Sequence, residues 1–405
     1  MSKWIIEPLS QICITTSGGT PSRKKAEFFI NGTIPWVKSG ELENNIIMDA
    51  EEYITEGALQ NSSAKILPSG TLLIALYGAT IGKLAFLGID AATNQAVCGI
   101  FKNDKVDLKY LYYYLLFSRP NLVKQGQGGA QPNISQTILK KLMVPYPVDL
   151  GEQQRIVARI EELFSQLDDA EATLQKTKAQ LALYRQAVLK EAFDGRLTGS
   201  APEASARLGD YIETPRYGTS KKCNYECESD RSAVYRIPNI NYTTGRISHN
   251  DIKYAQFSTN ELNGILLQQG DILIIRSNGS VSLVGRAAMV CNTDTAGTFA
   301  GYLMRLRIMD TGKLLPKYLL LYLGSHQARI YIENKAKSTS GVHNINSTEI
   351  SDLRFPLYDK VTQYEIIEAV ESRLSVCDNI EQTVDLAFQR AEAMRQSILK
   401  NVFEG

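Results

Sequence analysis

The sequence predicts an α+β protein: two β-rich globular blocks separated by two long helices that pair antiparallel, the whole a pseudo-twofold tandem duplication. Three observations predict it. Gln153–Gly195 recurs as Gln363–Gly405, 210 residues on and without a gap, with thirteen identical positions, and such a repeat must be read before anything else. Both copies place apolar residues at alternating steps of four and three, the 3.5-residue period of a left-handed coiled coil. The segments before each copy hold short apolar runs bounded by glycine, which mark buried strands.

The boundaries follow from these signals as a first globular block over 1–150, a helix over 151–197, a second block over 198–359 and a second helix over 360–405. In the first helix the seam is drawn through Ile156, Ile160, Leu163, Leu167, Ala170, Leu174, Thr177, Leu181, Tyr184 and Val188. In the second it runs through Ile366, Val370, Arg373, Cys377, Ile380, Val384, Ala387, Ala391, Met394 and Ile398. Thr362 with Glu365 has capping-box spacing, as does Asp149 with Glu152. Gly195 and Gly405 stand where a glycine would stop each helix. From Gln153 to Lys190 a helix would extend about 57 Å at ~1.5 Å per residue, too long for a compact domain and suited to a spacer. The alternative is that each helix packs on its own globular block.

The blocks resemble each other outside the helices. Lys109-Tyr110-Leu111 matches Lys317-Tyr318-Leu319, Asn133-Ile134 matches Asn344-Ile345, and Gly70 with Leu73 matches Gly270 with Leu273. Thr71–Tyr77 and Asp271–Ile275 read as strands, Leu108–Phe117 and Lys317–Leu323 as short helices. Between them lie paired polar loops rich in Gly, Ser, Thr, Asn and Arg. Arg and Lys suit guanine edges, Asn and Gln suit adenine, and Ser and Thr suit either; glycine allows backbone N–H groups close to phosphate. The nucleic-acid candidates are therefore Thr20, Ser22, Arg23, Lys24, Lys38, Tyr77, Thr80, Lys83, Gln131 and Asn133 in the first block. In the second they are Tyr217, Thr219, Ser220, Lys221, Lys222, Arg236, Arg276, Asn278, Ser340, His343 and Asn344. The same loops also read as ordinary solvated turns.

Net charge is only +1 over 405 residues, yet it is unevenly placed. Residues 1–150 hold 14 Lys+Arg against 12 Asp+Glu and residues 201–360 hold 19 against 15, while the helix segments 151–200 and 361–405 hold 7 against 8 and 4 against 8. Positive charge thus sits on the blocks that carry the polar loops, and the acidic helices suit protein partners. No apolar run reaches spanning length, the start lacks a signal-peptide pattern, and six scattered cysteines suit a reducing cytoplasm.

Catalytic patterns are absent or incomplete. Gly78-Ala79-Thr80-Ile81-Gly82-Lys83-Leu84 has three residues between its glycines, and Leu84 stands where a phosphate loop needs Ser or Thr for magnesium. Cys223 and Cys227 have no second close pair for zinc, with His249 the nearest histidine. Glu333-Asn334-Lys335 lacks the upstream acidic partner of a nuclease. The expectation is a non-catalytic chain with no bound metal or cofactor.

The order of variable block, helix, variable block, helix is similar to the specificity subunit of type I restriction-modification systems. The carriers are Gly151-Glu152-Gln153-Gln154-Arg155-Ile156-Val157, then Arg185-Gln186-Ala187-Val188-Leu189-Lys190 with Phe193-Asp194-Gly195, and the repeated Arg395-Gln396-Ser397-Ile398-Leu399-Lys400 with Phe403-Glu404-Gly405. The resemblance implies double-stranded DNA as target, read as two half-sites with one target recognition domain for each. It implies docking of two methyltransferase and two restriction-translocase subunits, with S-adenosylmethionine, ATP and Mg2+ bound by those partners. Among the signature residues, Gln153, Arg155, Arg185, Gln186, Phe193, Arg395, Gln396 and Phe403 become the docking candidates. The second repeat departs from the opening signature with Val361-Thr362-Gln363-Tyr364, so unequal docking at the two ends is expected. The competing reading is a coiled-coil scaffold whose globular ends bind proteins.

Overall fold

The computed structural model describes residues 3–126, 133–339 and 341–404. Two compact units emerge. The first joins Met1–Leu174 with Leu386–Gly405, and the second spans Gln175–Asp385. Each unit thus combines one globular block with a stretch of both long helices, which are Leu150–Phe193 and Lys360–Phe403.

The two blocks share a topology. In the first, a five-stranded sheet has the order Thr15–Ser17, Val97–Ile100, Leu72–Ala75, Leu84–Leu87, Asn45–Ile47. In the second, the order is Arg216–Tyr217, Leu303–Leu306, Ile272–Ile275, Ala287–Met289, Arg246–Ile247, Ile240–Asn241. The central strands Leu72–Ala75 and Ile272–Ile275 are buried on both faces, which explains their unbroken apolar runs. Each block closes with an antiparallel pair, Trp4–Pro8 with Met143–Pro147 and Ala204–Arg207 with Arg354–Leu357. Behind the first sheet lies the helix Leu108–Gln125, longer than its apolar pattern suggests because Leu122 is still buried; the second unit has Pro316–Leu323 and His326–Lys335 there.

Within each unit the long helices run antiparallel, and the linking charges are symmetry copies. In the first unit Arg395 reaches Asp168 (2.5 Å) and Glu171 (3.2 Å); in the second, Arg185 reaches Asp378 (2.6 Å) and Glu381 (2.9 Å). The seam differs by one residue at alternate positions from the one drawn on apolar spacing. Ile160, Leu167, Leu181, Val188, Val370, Cys377, Val384 and Ala391 are buried, but Ala170 and Arg373 face solvent, as do Tyr184, Ile380 and Met394. The intervening positions belong to Phe164, Glu171, Lys178, Arg185, Leu374, Glu381 and Arg395, all partly buried. Charged residues occupy the seam and bond across it, so apolarity alone shifts the register.

The helix starts are also clarified. Asp359 accepts from the backbone N–H groups of Val361 (2.9 Å) and Thr362 (3.0 Å), and its repeat mate Asp149 accepts from Gly151 (3.0 Å). Thr362 is therefore inside the helix rather than its cap, and its hydroxyl donates to Asp359 at 2.6 Å. At the other end Gly195 takes φ +77°, and a Cβ there would lie 2.1 Å from the Ser200 carbonyl oxygen, so the stop requires glycine. Gly405 lies outside the described residues.

Candidate nucleic-acid interface and helix signatures

In the first unit the loops bring Arg23, Lys38, Thr80 and Lys83 into one chain of contacts. Arg23 bonds Glu52 at 2.6 Å with its guanidinium over the rings of Phe29 (4.5 Å) and Trp36 (5.1 Å). Lys38 bridges Glu51 (2.8 Å) and Glu52 (3.1 Å). Thr80 donates to the Ser39 carbonyl at 2.5 Å, and Lys83 faces Glu43 at 3.6 Å. The hydrogen bond from Arg23 holds the Glu52 carboxyl below its usual range, and bonds to Glu51 and then Glu52 hold the Lys38 ammonium above its own. Tyr77 is joined to Asn133 by an antiparallel bridge. Thr20, Ser22 and Lys24 are exposed; Gln131 lies outside the described residues.

In the second unit Tyr217, Arg276, Asn278, His343 and Asn344 converge. The Arg276 guanidinium lies 4.4 Å over the Tyr217 ring, while Asn278 faces His343 and Ser277 faces Asn344 across an antiparallel pair. His343 Nδ1 is 3.3 Å from the Ala336 carbonyl oxygen. Lys221 is tied to Glu261 (2.8 Å) and Arg236 to Asp251 (2.7 Å), each away from that cluster in its own contacts. Thr219 accepts from the Lys221 N–H at 3.1 Å, and Ser220 and Lys222 are exposed. Ser340 lies outside the described residues. Sequence reasoning missed Tyr302, 64% exposed, whose carbonyl accepts from the Arg276 N–H at 2.9 Å; a tyrosine directly after Gly301 was the available signal.

Three of the loop glycines, Gly18, Gly19 and Gly218, are held by close packing, whereas Gly78 and Gly279 face open space. Gly18 and Gly19 donate their N–H groups to Val97 (3.0 Å) and Thr93 (2.8 Å), and a Cβ on either would meet neighbouring atoms within 2.4 Å. Gly218 is likewise pressed against the Phe299 carbonyl, 2.1 Å from a would-be Cβ. The Gly78–Leu84 segment is a tight turn entering the strand Leu84–Leu87, with Gly82 N–H donating to Ala75 (2.8 Å) and Lys83 N–H to Thr80 (2.8 Å). Both of these donors are committed within the chain. Among the described residues no group of three or more His, Cys, Asp or Glu could hold a metal, and no helix is long and apolar enough to cross a membrane.

Most helix-signature residues are committed inside the chain. Gln153 and Gln363 are fully buried. Gln153 donates to the carbonyls of Pro147 (2.8 Å) and Lys105 (3.0 Å) and accepts from Asp107 N–H (2.8 Å). Gln363 repeats this with Tyr358 (2.8 Å), Lys313 (2.8 Å) and Leu315 (2.9 Å). Phe193 packs edge-on to Tyr318 and Tyr322; Phe403 does so to Tyr110 and Tyr114. Arg185 and Arg395 are the interhelix ion pairs already described. Arg155, paired with Glu152 at 2.5 Å, and Gln396 remain exposed, and Gln186 lines a cavity of about 960 Å³ in the second unit.

Residues 1–180 match the family model described as the type I restriction modification DNA specificity domain. The chain is 26% identical over 416 residues to the type I restriction enzyme StySPI specificity subunit of Salmonella potsdam, covering 99% of this chain and 89% of that protein. It is 26% identical over 420 residues to the EcoKI specificity subunit of Escherichia coli K12, with the same coverage of each. Its fold is similar to a chain of a type I R-M system solved for its complex assembly, with a TM-score of 0.76 at 18% identity over 99% of this chain and 97% of that one. A further similar fold is the HsdS subunit of Thermoanaerobacter tengcongensis, with a TM-score of 0.56 at 17% identity over 99% of this chain and 97% of that one. Over nearly its whole length the chain is thus similar to type I restriction-modification specificity subunits, and its first 180 residues match their DNA specificity domain.

Proposed function

We propose that the chain is the sequence-specific DNA-recognition subunit of a type I restriction-modification complex, each unit reading one half of a bipartite sequence. The observation that carries this reading is the repetition of one unit, with polar segments paired at matching places: half-buried Tyr77 with exposed Asn133 in the first, buried Ser277 and half-buried Asn278 with half-buried His343 and Asn344 in the second. Asparagines at these points suit adenine edges, and the exposed Lys24 and Lys222 suit phosphates. Arg23, Lys38 and Lys221 would exchange their carboxylate partners for DNA contacts.

The long helices dock methyltransferase subunits, one toward each repeat, and restriction-translocase subunits join that complex. S-adenosylmethionine, ATP and Mg2+ are bound by those partners, and the assembly works in the cytoplasm. Docking falls to side chains that stay exposed, such as Arg155 and Gln396, since Gln153, Phe193 and Phe403 offer no free surface. The two helix starts bury their glutamines alike, so unequal docking would come from Glu152 and Gln154 against Thr362 and Tyr364.

Duplex binding by the chain in complex with its methyltransferase subunits tests the reading. Affinity should fall steeply as salt rises, with a slope of about −0.9 per phosphate contacted, while preference for one bipartite sequence persists. A scaffold whose ends bind proteins would show neither.

A further inference from the structure

Several cations in the loops of the second unit carry carboxylate partners. Arg236 donates to the Asp251 carboxylate and carbonyl, both at 2.7 Å. Arg307 is gripped by Asp271 at 2.7 and 2.6 Å, and Lys221 by Glu261 at 2.8 Å. Arg276 differs. Among the described residues it has no carboxylate partner: Nη1 donates to the Gly301 carbonyl at 3.1 Å, and Nε is buried without an acceptor. Its guanidinium rests on the Tyr217 ring, and that ring is fixed because the Tyr217 hydroxyl accepts from Ser347 N–H at 3.0 Å.

We propose that Arg276 reads a guanine in the half-site contacted by the second unit, with Tyr217 as its positioning residue; this rests on the DNA-recognition reading above. Guanine presents O6 and N7 as neighbouring acceptors, and a guanidinium fork supplies two matched donors. Stacking on Tyr217 restricts the plane of the fork before DNA arrives, which reduces the ordering left to be done on binding. Turning the fork toward a base breaks one bond to a carbonyl, whereas Arg236 would give up a carboxylate ion pair as well as a carbonyl bond. The neighbours are suited to a base edge as well: Asn278 faces His343, and exposed Tyr302 adjoins Gly301.

The first unit lacks this group. Ile345 N–H donates to the Arg276 carbonyl at 2.9 Å, and the matching Ile134 N–H donates to Leu76 at 2.8 Å. The equivalent of Arg276 is therefore Leu76, which is buried. A guanine fork at this place exists in one half of the molecule only.

The test uses the full chain with its methyltransferase subunits and a duplex library randomised across both half-sites, with enriched sequences read for wild type, Arg276→Lys, Arg276→Gln and Tyr217→Leu. Wild type should enrich a two-part motif. Arg276→Gln should lose the preference for one guanine in one half, with cognate affinity lowered roughly 5- to 150-fold and the rest of the motif intact, while Arg276→Lys, which keeps a donor for guanine but not the planar fork, should relax that position less. That remaining motif also reports correct folding. Tyr217→Leu should relax the same position to a smaller degree, a change that a purely structural role would not confine to one base. An unchanged motif in Arg276→Gln, or equal weakening on all sequences, would overturn the assignment. A wild-type complex that enriches no motif would instead overturn the DNA-recognition reading, and this inference with it.

Discussion

Three aspartate substitutions separate the observed helix seam from the one that apolar spacing draws. Leu167 belongs to both registers and is 9% exposed. Leu167→Asp loses about 1.5–3 kcal/mol of side-chain burial and adds a charge with no partner, for a total of roughly 3–5 kcal/mol. Leu374 lies outside the drawn seam but packs against the core of the second unit, so Leu374→Asp should cost roughly 2–4 kcal/mol. Ile380 lies in the drawn seam but is 40% exposed, and Ile380→Asp should cost about 1 kcal/mol or less. At ~2–4 °C per kcal/mol for a body of this size, scanning calorimetry should lower the melting temperature by about 6–20 °C for Leu167→Asp and by about 4 °C or less for Ile380→Asp. A loss for Ile380→Asp matching Leu167→Asp, with Leu374→Asp harmless, would refute the observed register.

Gln153→Leu leaves the Asp107 N–H and the Pro147 and Lys105 carbonyls without their partner; at ~1 kcal/mol per bond it should cost about 2–4 kcal/mol in urea denaturation, and Gln363→Leu should match it. Thiol labelling at pH 8 should modify exposed Cys227 first, while burial pushes the Cys13 thiol up to about 12 and Cys98 up to about 11 and keeps both unreactive. In a carboxyl NMR titration Glu261 should have its midpoint near 2, chiefly because Lys221 bonds its ionised form. Its folded value lies below the unfolded one, so the stability it supplies is present above the ordinary carboxylate range and lost as pH falls toward 2, and Lys221→Met should raise the midpoint. Adding one heptad after Thr177 and one between Asp385 and Leu386 keeps both ion-pair clusters in register and lengthens each helix by about 10.5 Å; the half-sites should persist while the unread gap grows by up to about three base pairs.

The two long helices are legible in the sequence because apolar residues recur near the helical period, and the central strands because burial on both faces leaves unbroken apolar runs bounded by glycine. Half of the seam is not legible. Glu171, Lys178, Arg185, Glu381 and Arg395 occupy seam positions through bonds to the other helix, and those bonds have no local periodicity. Helix-signature residues carry a similar ambiguity: Gln153 and Phe193 recur because each unit needs the same internal bond and the same aromatic contact. The loops announce residue types but not their commitments. Arg23 meets Glu52 and Lys38 meets Glu51 only once the sheet has brought distant segments together, and the freedom of Arg276 becomes visible only against neighbours that are paired.

Two repeated units that read two separated half-sites should leave a two-part methylation signature in the host. Methylome sequencing of the host with the gene intact and deleted tests it most directly. Deletion should abolish adenine methylation at one bipartite motif, two short specified blocks around a gap of unspecified bases, and leave other motifs untouched. An unchanged set of methylated motifs, or the loss of a single continuous motif, would contradict it.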